Sequence, residues 1–204
     1  ETQYQESMGQ KGFPGLTGIF FINPNIGWVV GKGGTILYTE DGGKHWERQK
    51  SGEVKFNLHR VQFIDSKRGW ITGTHAKDGW TGTILYTEDG GGHWKVQHRL
   101  RDVGFDDLHF MDKKTGFVGG HTESGEVGVL LRTEDGGRTW SGKEFENIGY
   151  NHMAFLDKER GVIYSLKTGL TVITTDGGKT WNKRRLPLKK YPWHLSEIFE
   201  KDKR

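Results

Sequence analysis

The sequence predicts an all-β fold, a β-propeller of four-stranded antiparallel blades, on two observations. The first is an eight-residue motif that occurs four times and contains Asp41, Asp89, Asp135 and Asp176. These Asp residues lie 48, 46 and 41 residues apart, a self-similar period typical of solenoids, propellers and arrays. The second is that each period contains four short β-rich segments separated by turn residues, which is the pattern of a propeller blade.

Each motif is predicted to form the turn between the third and fourth strands of its blade. Asp followed by Gly-Gly favours a tight turn, because Asp bonds the backbone two residues on and Gly supplies positive φ. A β-rich segment such as Ile36-Leu37-Tyr38-Thr39 precedes each motif. We expect the Asp residues to brace the turn. We expect the last residue of each motif to begin the returning strand with a large buried side chain; these residues are Trp46, Trp94, Trp140 and Trp181.

Four complete blades are predicted within a single domain, 1–204, at about residues 16–50, 58–98, 105–144 and 150–185. In the first blade, Leu16, Ile19 and Phe21 are assigned to the inner strand. The second strand covers Gly27–Gly31, and the third covers Thr35–Thr39. The other three repeats follow the same order.

The two ends of the chain predict a partial fifth blade, with strands at 1–8 and 195–204. Tyr4 has the spacing of a motif Trp relative to Leu16, and Leu195 with Ile198 echoes the start of the second repeat. Two interpretations stay open: a closed ring whose termini share a composite blade, or a segment of a longer propeller. An incomplete ring would leave unpaired strand edges, which favour self-association.

Composition excludes several classes of function. The chain has 32 Gly and only 4 Pro, which fits many tight turns, and no Cys, which excludes a disulfide framework and a thiol nucleophile. No apolar run approaches the roughly 18 residues of a membrane span. A net charge of +4 is a weak basic field for nucleic acid. No His pair has metal-ligand spacing, and no phosphate loop or Gly-x-Ser-x-Gly elbow occurs. We predict no catalytic residue, no metal and no cofactor.

Partner binding is predicted on the face opposite the motifs, where the loops vary. The loops between strands two and three are predicted to be longer in the second repeat, from Thr74 to Trp80, and in the third, from His121 to Glu126. Clustered cations are predicted in connections on this face, and Arg suits carboxylate and phosphate recognition. A solvated rim is the alternative for these cations, as a packed loop is for Trp80. The candidate partner-binding residues are Arg60, Arg68, Trp80, Arg99, Arg101, Arg184 and Arg185.

The motif resembles the Asp-box, or bacterial neuraminidase repeat, of the form Ser/Thr-x-Asp-x-Gly-x-Thr-Trp, with His45 and His93 in place of Thr in two copies. A longer signature combines Gly-Trp-x-x-Gly, Thr-Ile-Leu-x-Thr and the Asp-box, and it repeats through 16–46 and 58–94. With it, about residues 16–181 resemble the photosystem II stability/assembly factor family. The resemblance implies an exported propeller, in the periplasm, thylakoid lumen or outside the cell. Such a propeller acts by binding, and it docks a protein partner through an arginine patch. Members of that family usually have about seven blades.

Two alternatives stay open. Asp-boxes also occur in sialidases and xyloglucan-type hydrolases, so a carbohydrate-binding or glycoside-hydrolase propeller is the first. Its paired carboxylates would come from Asp78, Asp106, Asp107, Glu123 and Glu126. The Arg-Ile-Pro segment of sialidases is absent from the sequence. The second alternative is a propeller subunit of a larger extracellular assembly.

Overall fold

The computed structural model describes residues 15–52, 56–75, 79–149, 151–165 and 168–185. Sixteen strands in these ranges form four sheets of four antiparallel strands, and each sheet takes its strands in consecutive order along the chain. The predicted all-β class is therefore confirmed. The strands predicted for a partial fifth blade, 1–8 and 195–204, lie outside the described residues. Among the described residues, no helix is both long and apolar enough to span a membrane.

The chain divides into two compact units, residues 1–105 and 106–204, and the boundary falls within β9. Unit 1 contains the first two sheets. The strands of the first sheet are β1 (Leu16–Phe21), β2 (Gly27–Gly31), β3 (Thr35–Thr39) and β4 (Glu47–Gln49), with a 3-10 turn, Lys32–Gly34, between β2 and β3. Those of the second sheet are β5 (Asn57–Phe63), β6 (Gly69–His75), β7 (Thr81–Thr87) and β8 (Lys95–Arg101).

Unit 2 contains the third and fourth sheets. The strands of the third sheet are β9 (Val103–Phe110), β10 (Gly116–Thr122), β11 (Val127–Thr133) and β12 (Ser141–Glu146). Those of the fourth are β13 (Asn151–Phe155), β14 (Gly161–Ser165), β15 (Leu170–Thr174) and β16 (Asn182–Arg185). The sheets thus occupy 16–49, 57–101, 103–146 and 151–185, beside predicted blades at 16–50, 58–98, 105–144 and 150–185.

A Gly begins the second strand of every sheet because an inner-strand Phe ring lies flat against it. Phe21 pairs with Gly27 and Phe63 with Gly69 across antiparallel strands. A Cβ at either Gly would lie 2.6 Å from atoms of that ring. Only Gly leaves room for the ring, so the Gly-Trp signature encodes a packing contact rather than a turn.

Each unit joins its two sheets through an aromatic pair. In unit 1, Trp28 stacks on Phe63 with ring centroids 3.5 Å apart. In unit 2, Phe117 stacks on Phe155 at 4.7 Å. Both pairs lie in clusters of buried side chains that include Leu58 and Val61 in unit 1 and Met153 and Ile163 in unit 2.

The predicted inner-strand residues are buried in the second sheet and exposed in the first. Leu58 and Phe63 are 0% and 2% exposed, whereas Leu16, Ile19 and Phe21 are 46%, 65% and 36% exposed. The first sheet covers β5, but no sheet formed by the described residues of unit 1 covers the matching face of β1. Leu16, Ile19 and Phe21 therefore lie in β1, the first strand of the sheet, as predicted, but they are exposed.

Each predicted long loop of repeats two and three begins with two residues that are strand in the structure. β6 continues through Thr74 and His75, which pair with Gly82 and Thr81 of β7. β10 continues through His121 and Thr122 in the same way. The added residues extend these hairpins by pairing across the antiparallel strands. Among the described residues, 79–80 and 123–126 lie between the strands of these hairpins.

Candidate functional site

Each sheet has two ends that differ in structure. We call the end with the Asp-box turn the box end, and the end where the second and third strands are connected the opposite end. The predicted Asp-box residues lie at the box end, and several of the predicted partner-binding arginines lie near the opposite end.

The Asp-box turn is braced by a Thr–Asp pair. In the second box, the Thr87 hydroxyl donates to Asp89 Oδ1 at 2.8 Å and accepts the N–H groups of Asp89 and Gly91 at 3.3 and 3.0 Å. Asp89 Oδ1 also accepts the His93 N–H at 2.9 Å. The same bonds occur in the other three boxes. The four box Thr residues are 0–2% exposed.

His and Thr are interchangeable at the seventh motif position because both place a polar atom at the same point. His45 Nδ1 lies 2.6 Å from Asp41 Oδ2, and the Thr180 hydroxyl donates to Asp176 Oδ2 at 2.6 Å. In the third and fourth boxes, the hydroxyl and then the N–H of this Thr lower the pKa of Asp135 and Asp176 to about 2. Hydrogen bonds from the N–H and ring of His45 hold the pKa of Asp41 well below its usual value. Each box carboxylate therefore acts as an ionised acceptor inside its own turn.

A second contact fixes each box to the turn between the first two strands of its sheet. The first Gly of the box has φ between 72° and 77° and donates its N–H to a carbonyl of that turn. The bonds are Gly42 to Asn25, Gly90 to Lys67, Gly136 to Lys114 and Gly177 to Glu159, at 2.8–2.9 Å. An Asn or Asp side chain in turn braces the accepting turn, as Asp65 does by accepting the N–H groups of Lys67 and Arg68.

The motif Trp residues differ from the prediction in two ways. Each immediately precedes the outer strand rather than beginning it. Trp94 and Trp181 are buried at 7% and 8% exposure, but Trp46 and Trp140 are only half-buried. Trp46 packs edge-on to Phe21, with ring centroids 6.1 Å apart. Because Phe21 is itself uncovered, Trp46 is not enclosed.

The structure separates the predicted arginines. Arg99 and Arg101 belong to β8, and Arg184 and Arg185 to β16, near the opposite ends of the outer strands. They lie within strands and not in the connections where they were predicted. Arg99 and Arg101 are exposed, and the Arg99 guanidinium lies over the Phe56 ring at 5.7 Å.

Two arginines do not share that location. Arg68 lies in the turn after β5 at the box end, where its Nε and Nη2 approach Asp65 Oδ2 at 2.8 and 2.7 Å. Arg60 lies midway along the inner strand β5, and its Nη1 donates to the Thr17 carbonyl at 3.3 Å. Both guanidinium groups thus have structural contacts within unit 1. The only sequence signal of these contacts is the Asp three residues before Arg68.

Trp80 is half-buried and packs within unit 1. A Cβ at Gly104 would lie 2.6 Å from the indole Nε1 of Trp80. The Trp80 carbonyl accepts the N–H of Asp102, a residue with φ of 62° that links β8 to β9. These contacts favour the alternative in which Trp80 packs within its loop over the one in which it is an exposed anchor for a partner.

Two of the carboxylates considered for glycoside hydrolysis, Asp106 and Asp107, are bonded to neighbouring groups. Asp106 Oδ2 lies 2.6 Å from Nδ1 of His121, which is buried. Asp107 Oδ2 accepts the Met153 N–H at 3.1 Å. Glu123 and Glu126 lie in the loop between β10 and β11 and are exposed, and Asp78 lies outside the described residues. Within the described ranges, no group of three or more His, Asp or Glu side chains could hold a metal ion.

Comparison with known families gives two matches. The family model described as Photosynthesis system II assembly factor YCF48 matches residues 1–80. The model of the BNR/Asp-box repeat matches residues 172–183.

Curated relatives match over short segments. Photosystem II stability/assembly factor HCF136, chloroplastic, of Arabidopsis thaliana is 34% identical over 64 residues, 31% of this chain and 16% of that protein. Photosystem II assembly lipoprotein Ycf48 of Synechocystis is 36% identical over 64 residues, 31% of this chain and 19% of that protein. The matched segments thus span less than a fifth of each curated relative.

Solved structures match over most of the chain. The structure described as YCF48 bound to D1 peptide has a TM-score of 0.64 at 21% identity, covering 86% of this chain and 54% of that one. A GH74 enzyme from Niastella koreensis has a TM-score of 0.65 at 14% identity, covering 79% and 28%. At these identities the likeness concerns the fold.

Fold and motifs together define an Asp-box repeat protein with a propeller-like all-β fold. Within that class the chain is similar to the photosystem II assembly factors of the YCF48 type, and the resemblance predicted from the sequence is confirmed.

Proposed function

We propose that this chain is part of an exported, non-enzymatic assembly scaffold that docks a protein partner at the opposite end of its sheets. The observation that carries the proposal is the division between the two ends of the sheets. At the box end, the box carboxylates accept hydrogen bonds within their own turns. The exposed arginines of β8, by contrast, lie near the opposite end. The names of two relatives support export, since one is called a lipoprotein and the other chloroplastic.

The four sheets are proposed to be blades of one propeller within a single domain. Each has the four sequential antiparallel strands of a blade. The predicted strands at 1–8 and 195–204 would contribute to a further blade. Sheets of this kind suit binding, because their strand ends and loops can vary without changing the braced turns.

Protein docking is favoured over catalysis by the state of the carboxylates. Retaining and inverting glycosidases need two carboxyl groups roughly 5–10 Å apart in a substrate site. Asp106 and Asp107 are instead bonded to His121 and to the Met153 backbone. Exposed Arg side chains, by contrast, suit the carboxylates and backbone carbonyls of a polypeptide.

A binding titration tests this proposal. The probe is a fluorescent D1 peptide, since the YCF48 structure is described with such a peptide. We expect binding that weakens with salt, because exposed charge pairs are screened over about 8–10 Å at 0.1–0.15 M salt. Reversing Arg99, Arg101, Arg184 and Arg185 to Glu should weaken it at least about tenfold, since each exposed ion pair contributes about 0.2–1 kcal/mol and reversal adds repulsion.

The matched control is Arg138→Glu, an exposed arginine in the third Asp-box. It changes charge at the box end and should leave the affinity unchanged. Equal loss in both variants, or no binding of the peptide by wild type, contradicts the proposal. Release of sugar from xyloglucan by the purified chain would favour the glycosidase alternative instead.

A further inference from the structure

We propose that an extended acidic segment of the partner adds to the second sheet as a fifth strand along the outer edge of β8. This inference rests on the proposed function and names the chemistry of the partner. The predicted partner segment is in β conformation and carries two carboxylates two residues apart.

The first observation is the length of β8. It is the outermost strand of its sheet and contains seven residues, whereas the outer strands β4 and β16 contain three and four. β8 is long because the β6–β7 hairpin is extended. Leu100 and Arg101 pair with Gly82 and Thr81, two residues of that extension. Short outer strands protect a sheet from further pairing, and the second sheet lacks this protection.

The second observation is the placement of charge along this edge. Arg99 and Arg101 are two residues apart and therefore project from the same face of β8. Residues directly opposite on an added strand would lie about 4.5–5.5 Å away between Cβ atoms, so acidic residues at positions i and i+2 would meet both arginines. The hairpin holds Arg99 in place, because its guanidinium lies over Phe56, whose ring packs at 5.0 Å on His75.

The third sheet provides a natural contrast at the same register. Glu144 pairs with Val129 and Glu146 with Val127, as Arg99 pairs with Thr83 and Arg101 with Thr81. The two long outer strands therefore carry opposite charges at equivalent positions. The fold accepts either sign there, so charge at this edge is free to select a ligand.

The charge of β8 also distinguishes between two strands that could pair with its edge, a second copy of β8 and an acidic strand of a partner. Charged side chains on an edge prevent like edges from pairing, so Arg99 and Arg101 oppose a second β8. They attract a strand of opposite charge by the same rule. A register shift between Ile84 and Leu85 interrupts β8 at Gln97, so the regular part of the edge is the arginine-bearing half. This half is the place where an acidic strand would pair.

The test uses a fluorescent, capped peptide of sequence Thr-Glu-Val-Glu-Val-Thr and the whole chain, with affinity read from anisotropy. Wild type should bind it, and R99E/R101E, which recreates the carboxylates of β12, should bind at least about tenfold more weakly. The matched control is Arg48→Glu, an exposed arginine on the outer strand β4 of the first sheet, which should not change the affinity. Circular dichroism checks that each variant is folded.

Two N-methylated peptides separate strand addition from simple charge attraction. Only alternate N–H groups of an added strand face the edge, so methylation in one phase should abolish binding and in the other phase should not. Equal binding of both peptides overturns the proposal, as does unchanged binding by R99E/R101E. Light scattering that shows β8-dependent dimers of the chain alone also overturns it, in favour of a second copy.

This outcome can be told apart from failure of the proposed function. If the D1 peptide binds wild type and the acidic peptide does not, the docking function stands and the β8 edge is not its site. If neither peptide binds, the proposed function itself is contradicted.

Discussion

The box end and the opposite end of the sheets follow different rules. At the box end, four turns repeat one set of hydrogen bonds with nearly constant lengths, from Thr39 with Asp41 to Thr174 with Asp176. At the opposite end, no two neighbouring sheets are alike, since hairpins differ in length and β8 and β12 carry opposite charges. Uniform bonding at one end indicates a structural requirement, and variation at the other indicates surface available for recognition.

The box end also contains the joint between the two sheets of each unit. In both units a box Gly carbonyl accepts a hydrogen bond at this joint, but the donor residue differs. In unit 1, the Trp28 indole donates to the Gly90 carbonyl of the neighbouring box at 3.2 Å, with Tyr38 tilted against the indole. In unit 2, Phe117 has no such donor. Arg132, at the position of Tyr38, lies over the Phe117 ring and donates to the equivalent carbonyl of Gly177 at 3.3 Å. The equivalent carbonyl therefore accepts a hydrogen bond in both joints, from different residues.

The largest expected effect is at the unit 1 joint. Trp28→Ala removes a fully buried ring that stacks on Phe63, so the free energy of unfolding should fall by about 3–5 kcal/mol. Urea denaturation followed by tryptophan fluorescence measures this loss. A change below about 1 kcal/mol, the scale of a surface substitution, would mean that the joint does not support the fold.

The next effect tests the box brace without touching the opposite end. Thr87→Val keeps the shape of a side chain that is 1% exposed but removes its bonds to Asp89 and Gly91. Stability should fall by about 1–3 kcal/mol, because buried polar partners are left unsatisfied. Affinity for the D1 peptide should not change, and a parallel loss of affinity would contradict the separation of the two ends.

A smaller effect tests whether the Arg donor found in unit 2 can replace the Trp28 donor of unit 1. Trp28→Phe leaves the Gly90 carbonyl with the Gln49 amide, which donates at 2.9 Å, so the loss from the missing bond should be about 1 kcal/mol. Adding Tyr38→Arg recreates the arrangement of unit 2 and should recover part of this loss. A double-mutant cycle with no recovery would contradict the equivalence of the two solutions.

The smallest effect is a pH dependence at the box end. Asp135 and Asp176 have folded pKa values of about 2, against about 3.9 in an unfolded chain. Their contribution to stability is therefore complete above pH 4 and is lost as the pH falls through 2, since the unfolded state binds protons first. Urea midpoints should decline from pH 4 to pH 2. Asp135→Asn should show a shallower decline, and an unchanged slope would contradict the assigned role.

The repeat predicted the fold well because it encodes local rules. Asp-Gly-Gly turns, Gly-Trp strands and the third strand Thr35–Thr39 all follow from short-range preferences and appear where expected. What the sequence did not predict depends on contacts between distant residues. The exposure of Ile19 depends on whether another sheet covers β1, and the half-burial of Trp46 follows from its contact with Phe21.

The candidate site was predicted less completely for the same reason. Arg68 was grouped with the other arginines because sequence shows its charge but not its bond to Asp65. The hairpin residues Thr74 and His75 were predicted as loop because polar residues in a short extension do not show a strand period. The opposite charges of β8 and β12 become meaningful only once the register aligns Arg99 with Glu144.

Hydrogen exchange measured by mass spectrometry, with and without the D1 peptide, tests the central claim most directly. The account predicts that added peptide slows exchange in segments containing residues 98–101, 182–185 or both, while the four Asp-box segments exchange as before. Protection confined to the boxes, such as 39–46 or 87–94, would place the partner at the braced end and contradict the account.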